Sequence, residues 1–309
     1  MKRPYVTSSI AEISSLMQGF SIEVLPAEVQ RIRKFHDYLP EGTRVYIPHI
    51  GGDSDGIVCA ARILHDSGMI PVPHIAARRL ESRGALAQFI RALTVEAGVT
   101  RVLLVAGDLN EPAGAFSSSL DVLQTGLLEG NGIKEFGIAG HPEGHPSVDS
   151  STLLQAMADK YAYAENTGLA MHVTTQFLFD VMPLVRWRAE ALATFLTAVP
   201  LDVGLAGLAR MMTLMSFAKD CGVASSLSTV THNVSRMWNF AANYSPDNIV
   251  LDLAALRTQT GQPLFRSLHL FPFGSFQRTA AWARALCAGN FKVDWRNSII
   301  RTAGRGRSS

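Results

Sequence analysis

Four short strings carry residue types that do chemistry at places where a packed chain would not put them by default. The first is Ser21-Ile-Glu-Val-Leu-Pro26, an apolar run interrupted by one carboxylate. Burying Glu23 as an anion is costly unless it is partnered. Desolvation raises the pKa of such a group, which makes Glu23 a candidate general acid near neutral pH. The alternative is a strand residue turned to solvent or paired with an arginine. The second string is Val105-Ala106-Gly107-Asp108. Its glycine lets a flat ring approach the backbone, and its aspartate can accept from the donor edge of an aminopyrimidine. An aspartate there is equally suited to cap a helix or close a turn.

The third string, Ala139-Gly140-His141-Pro142-Glu143-Gly144-His145-Pro146, alternates glycine and proline and defines a rigid irregular loop. The His-x-x-x-His spacing suits a metal on a helix, but these residues lie on a proline-rich loop and no third ligand is apparent. No metal is expected; imidazoles and backbone amides touching a cofactor are the favoured reading. The fourth string, Thr174-Thr-Gln176-Phe-Leu-Phe-Asp180, holds an amide that suits a heterocycle edge or a structural hydrogen bond between strands. Phe217, on a later helix, could stack on a ligand or belong to the core. There is no Gly-x-Ser-x-Gly elbow, no Walker A string and no Gly-x-Gly-x-x-Gly after a strand. Cys59, Cys221 and Cys287 are widely spaced without a Cys-x-x-Cys pair, so they read as helical core residues rather than a disulfide or zinc framework.

Residues so far apart need a scaffold that returns repeatedly to one place. Apolar runs predict strands at 21–26, 44–50, 70–76, 101–107, 135–139, 170–177, 201–205 and 267–273, with helices at 55–67, 83–97, 119–129, 151–165, 182–198, 209–221 and 277–288 between and after them. A further helix is expected from the end of strand one to about Tyr38, and a mostly helical excursion over 224–260. Eight strands alternating with helices argue for α/β class and a closed (β/α)8 TIM barrel, with an open doubly wound sheet as the alternative. A barrel places catalytic residues at strand C-termini, which is where Glu23, His49, His74, Asp108, His141, Glu143 and His145 fall. One catalytic domain over 1–300 and a basic flexible tail over 301–309 complete the organisation.

Composition agrees. The 309 residues are 47% hydrophobic and 17% charged, enough for a large core and incompatible with global disorder. Net charge is +2, which gives no nucleic-acid footprint. The N-terminus lacks a signal-peptide run and no long apolar stretch suggests a membrane span, so a soluble, reduced, cytoplasmic protein is expected. Mean hydropathy of +0.14 fits a buried parallel sheet.

Taken in order, Ile-Glu near the start, Gly-Asp after strand four, Ala-Gly-His-Pro-Glu-Gly-His-Pro and Thr-Gln-Phe-Leu-Phe-Asp resemble the methylenetetrahydrofolate reductases over roughly residues 21–278. The resemblance implies a (β/α)8 barrel with FAD at its C-terminal rim, NADH or NADPH as electron donor, and tetrahydrofolate derivatives as partners in one-carbon metabolism and methionine biosynthesis. In that chemistry a nicotinamide reduces the flavin and leaves. 5,10-Methylenetetrahydrofolate then takes its place, a general acid assists ring opening to a 5-iminium cation, and hydride transfer gives 5-methyltetrahydrofolate.

By this resemblance Glu23 is the general acid and Asp108 contacts pterin near the flavin. Gln176 binds folate, and Phe217 packs on substrate or nicotinamide with Thr213 one turn before it. Arg278 stands near the family's C-terminal arginine. His49, His74, Ala106, Gly107, Ser118, Ser119, Gly140, His141, Glu143, His145, Gln155 and Lys160 fall at flavin-contacting positions. Departures cluster there. The usual Arg-Gly-Asp reads Ala106-Gly107-Asp108, the strand-two Thr-Tyr region reads Pro48-His49, a tyrosine reads His141, and a glutamine reads Thr213. The departures leave open methyltetrahydrofolate oxidation as the working direction, a flavin-independent folate enzyme, or a non-catalytic folate-binding protein. A homo-oligomer is also left open.

Overall fold

The structure, a computed structural model, describes residues 8–32, 34–51, 54–192, 199–220, 244–260, 265–296 and 298–302. Its centre is a closed barrel of eight parallel strands in chain order: β1 (Ser21–Glu23), β2 (Arg44–Ile47), β3 (Ile70–Ala76), β4 (Arg101–Val105), β5 (Glu135–Gly140), β6 (Ala170–Leu178), β7 (Leu201–Ala206) and β8 (Ser267–Phe271). Closure is made by Ser21 and Ile22 of β1 opposite His269 and Leu270 of β8. The closed ring excludes the open-sheet alternative.

The outer layer comprises α1 (Ile10–Met17), α2 (Pro26–Val29), α3 (Ser54–Asp66), α4 (Arg83–Ala97), α5 (Ser119–Leu123), α6 (Leu127–Gly130), α7 (Ser150–Thr167), α8 (Val181–Leu192), α9 (Met211–Asp220), α10 (Asp247–Thr260) and α11 (Phe276–Cys287). Apolar faces of these helices and the outward residues of the strands form one continuous core, with Trp282, Phe276, Phe35 and Phe136 among its largest members. No helix among the described residues is long and apolar enough to cross a membrane.

Several boundaries differ from expectation for local reasons. β1 stops at Glu23 rather than residue 26 because Pro26 opens α2, where its missing N–H costs nothing. The long helix expected up to Tyr38 is instead α2 and a 3₁₀ turn at Phe35–Asp37. The helix expected over 119–129 breaks at left-handed Gly126 into α5 and α6. Strands two, four and eight end two or three residues early. Within the expected excursion over 224–260, α10 is described; residues 224–243, Cys221 and the end of the 182–198 helix lie outside the described residues. The flexible-tail boundary also shifts, because Arg301 and Thr302 belong to β10 (Ile299–Thr302), which pairs antiparallel with β9 (Phe291–Asp294). This hairpin buries Phe291 and Ile300 beside α10 and α11.

The barrel interior is stratified. At the strand N-termini sits a polar plug. Asp202 of β7, fully buried, accepts from Arg266 (2.9 and 2.6 Å), from Arg44 Nη1 (2.9 Å) and from Ser267 (2.7 Å). Burial alone would raise the Asp202 carboxyl, but the Arg266 hydrogen bonds and the two guanidinium charges hold it well below the usual range. Beside it, Glu135 lies 2.7 Å from His172 Nδ1 and pairs with Arg101, so that despite burial it is held down to about 2. His172 Nε2 meets the Tyr46 hydroxyl at 2.9 Å in the middle of the barrel. Tyr46 is fully buried with Val72 and Leu103, and its ring meets His269 edge-on at 4.4 Å. Polar groups at this end serve stability, which leaves the opposite rim for ligands.

Candidate active site

Beyond Tyr46 the strands run to the C-terminal rim. Glu23, the last residue of β1, lies opposite Tyr46 in the strand register. Burial lifts its carboxyl to about 7. His74 points inward, two residues after interior Val72 on the same strand face. Its Nε2 lies 3.7 Å from Glu23 Oε2, and its ring meets Tyr46 edge-on at 6.1 Å. Burial, with His49 adding to it, lowers His74 to about 3, so the imidazole is neutral. That Nε2 is a buried nitrogen with no hydrogen-bond partner among the described residues.

His49 follows Pro48 at the end of β2 and is buried. Its Nδ1 accepts from the Ala76 amide at 3.3 Å, which fixes the tautomer and leaves Nε2–H as a donor. Burial and the positive charge of Arg79, opposed by Asp108, lower His49 to about 4. Asp108 is gripped by Arg79 through two contacts, Nε to Oδ1 at 2.9 Å and Nη2 to Oδ2 at 2.8 Å. Gly107 before it has φ of +98°, and a Cβ there would stand 3.3 Å from Ala76 Cβ. Glu23, His74, His49, Arg79 and Asp108 thus form one arc along the β1–β4 side of the rim.

The β6–β8 side is aromatic. The register of β6 shifts between Thr174 and Phe177, and the bulge carries Gln176, which is half-buried. Thr175 Oγ1 donates to the Gln176 carbonyl and accepts from Gly204 N, both at 2.8 Å. Phe177 stands 5.0 Å from Phe273, and Phe273 stands 4.8 Å from Phe217 at a tilt of 34°. Phe217, 42% exposed, and half-buried Thr213 share one face of α9. Arg278 is exposed on α11.

Other expected contacts sit elsewhere. Ser118 caps α5 through a reciprocal pair with Asp121, and Ser119 is buried in the first turn. Gly140 faces α8, since a Cβ there would fall 2.8 Å from Val173 and 3.1 Å from Trp187. Beyond β5, the His141 and His145 rings meet edge-on at 5.2 Å. Burial lowers His141 to about 4, with His145 and Lys160 adding to it. Its loop, with half-buried Glu143, borders a cavity of about 110 Å³ closed by Leu153 and Leu154 of α7 and Arg186 and Trp187 of α8. Gln155 bonds Asp159 along the exposed face of α7.

Arg79 and Phe273 were not singled out from sequence. The Ala-Ala-Arg-Arg string after strand three was the available signal for Arg79. A phenylalanine before glycine signals a tight turn at position 273, where φ is +48°. No protein-family model matches the chain.

Proposed function

We propose that this protein is an oxidoreductase that interconverts 5,10-methylenetetrahydrofolate and 5-methyltetrahydrofolate, using FAD and NADH or NADPH. The observation that carries the reading is the pairing of Glu23, a carboxyl that half-ionises near neutral pH, with neutral, unpartnered His74 at the mouth of the barrel. The ordered strings described above supply the folate chemistry.

The residues present fit a flavin. His49 and the unpartnered His74 offer uncharged ring nitrogens to a planar heterocycle. Lys160, His141 and His145 supply a cation and imidazoles for a diphosphate beyond β5. When bound, the flavin supplies the hydride chemistry. The chain's own part is position and protons. Glu23 holds a proton at its carboxyl oxygen and gives it to the folate nitrogen that leaves on ring opening. Asp108 accepts from the aminopyrimidine edge, Gln176 offers its amide to the pterin, and the Phe217–Phe273 wall excludes water from the other side.

The test is a visible absorption spectrum of purified protein with and without added FAD, followed by turnover with NAD(P)H and methylenetetrahydrofolate. A flavin band and turnover support the reading. A colourless protein that transfers label directly from NADH to the folate methyl points to the flavin-independent alternative, and folate binding without turnover points to a non-catalytic binding protein.

A further inference from the structure

The cavity beyond β5 is lined by none of the residues of the Glu23–His74 arc. It is a wedge of about 110 Å³ between the first turn of α7 and one face of α8, bordered by the loop that follows β5. On α8 the lining positions are Pro183, Arg186, Trp187 and Glu190, a single helical stripe. On α7 they are Ser150, Leu153 and Leu154, again one stripe. The two stripes face each other without filling the space between them.

The lining divides by chemistry. Trp187 is buried, and its indole packs on β5 because Gly140 has no side chain: a Cβ there would stand 3.1 Å from the ring. With Leu153, Leu154 and Pro142 the indole makes an apolar wall. Arg186 and Glu190 are exposed and supply one charge of each sign, one turn apart. Among the described residues Arg186 has no hydrogen-bond or ion-pair partner, so pairing along the helix does not consume its charge. His141, kept neutral by burial, adds a polar ring without adding charge.

That combination selects a ligand class. A water takes about 10–15 Å³ of such volume, so the cavity holds on the order of seven to eleven water-sized bodies, too few for a nucleotide. A diphosphate would meet one cation and one carboxylate, with no net attraction. An apolar molecule with a carboxylate alone would leave Glu190 facing an anion. A molecule with carboxylate and ammonium on one carbon suits both: the Arg186 fork takes the carboxylate and Glu190 accepts from the ammonium. A carboxylate has about four acceptor directions, so Glu190 serves an ammonium beside any other partner. We propose that the cavity between α7 and α8 binds an apolar α-amino acid of leucine or methionine size. The proposal stands independently of the folate reading.

Equilibrium dialysis of the full chain with labelled L-leucine tests it. The competitors are L-methionine, 4-methylpentanoate, 3-methylbutylamine and AMP. The second and third keep the apolar body of leucine but carry only its carboxylate or only its ammonium. Wild type is expected to bind leucine and methionine, and to prefer leucine over either one-charge analogue by roughly tenfold or more, the scale of one charge-assisted hydrogen bond. Arg186→Gln and Glu190→Gln change exposed residues at nearly constant size, and melting curves check that both fold. Each is expected to weaken leucine by roughly tenfold or more. Arg186→Gln should bind leucine no better than 3-methylbutylamine, and Glu190→Gln no better than 4-methylpentanoate. Wild type that binds neither amino acid at millimolar concentration overturns the proposal. So does equal affinity for leucine and 4-methylpentanoate, or unchanged leucine affinity in both folded variants. Displacement of leucine by AMP would give the cavity to a nucleotide cofactor and overturn it as well.

Discussion

Glu23 Oε2 faces His74 Nε2 across 3.7 Å, too long for a hydrogen bond and too short for an intervening group. Both groups are uncharged over a shared range, because burial lifts Glu23 to about 7 and lowers His74 to about 3. A proton therefore resides on Glu23 at pH values where an ordinary glutamate is an anion.

Replacing Glu23 by Gln removes that proton while keeping shape. The folate half-reaction should slow by about 10²–10⁴-fold, the usual contribution of a general acid, with reduction of the enzyme by NAD(P)H largely preserved. In wild type the folate half-reaction should fall as pH rises through about 7, because the protonated form is lost there. Rapid-mixing measurements of the two half-reactions across pH check both points; equal losses in the two would remove Glu23 from the acid role.

Asp108→Asn keeps size but loses the charge that Arg79 grips. Folate affinity and the folate half-reaction should drop more than NAD(P)H oxidation. Separate KM and kcat values for the two substrates decide it, and a uniform loss would mean that Asp108 does not touch pterin.

Stability should decline in acid. His49 and His141 stay neutral down to about 4, and His74 and His269 to about 3, against an ordinary value of 6.5. As pH falls below 6.5 the unfolded chain therefore takes up protons that the folded chain refuses, and stability present above that pH is lost. Glu135, held to about 2 against 4.5, adds to the loss below 4.5. Glu23 acts in the opposite sense: its raised value favours the fold below 4.5, and that contribution is lost as pH rises through about 7. Four imidazoles against one carboxyl predict a melting temperature that falls steadily below about pH 6.5. A flat calorimetric profile from 6.5 to 4 would contradict the buried neutral histidines.

Asp202→Ala leaves Arg44 and Arg266 facing each other without their shared counter-charge. Breaking a buried ion pair from one side costs roughly 3–5 kcal/mol. Urea unfolding should show that loss, while the folded fraction retains its turnover. A cost below about 1 kcal/mol, typical of an exposed pair, would mean that the plug is solvated.

Elements whose signal is local were legible in the sequence. β3 and α4 fall at the residues predicted, since their apolar strings mark them directly, and the structure adds Ser82 as the cap of α4. The ring closure followed from counting strands. The plug was not legible, because Tyr46 meets His172 and Arg44 meets Asp202 across more than a hundred residues, and nothing in a strand's own pattern names its partner across the barrel. The same blindness hid Arg79. Ser118 read as a ligand-facing residue although its capping role was available from Asp121 three residues on.

The bulge in β6 divides that strand by parity. Below it, His172 and Thr174 turn inward to Tyr46; above it, the inward position passes to Phe177. Substitutions above the offset can therefore reshape what the rim accepts without disturbing the ionic floor that keeps the cylinder closed. Deleting one residue there would restore the regular alternation with Phe177 still inward, whereas straightening the strand at its full length would send Phe177 outward and take the aromatic wall with it.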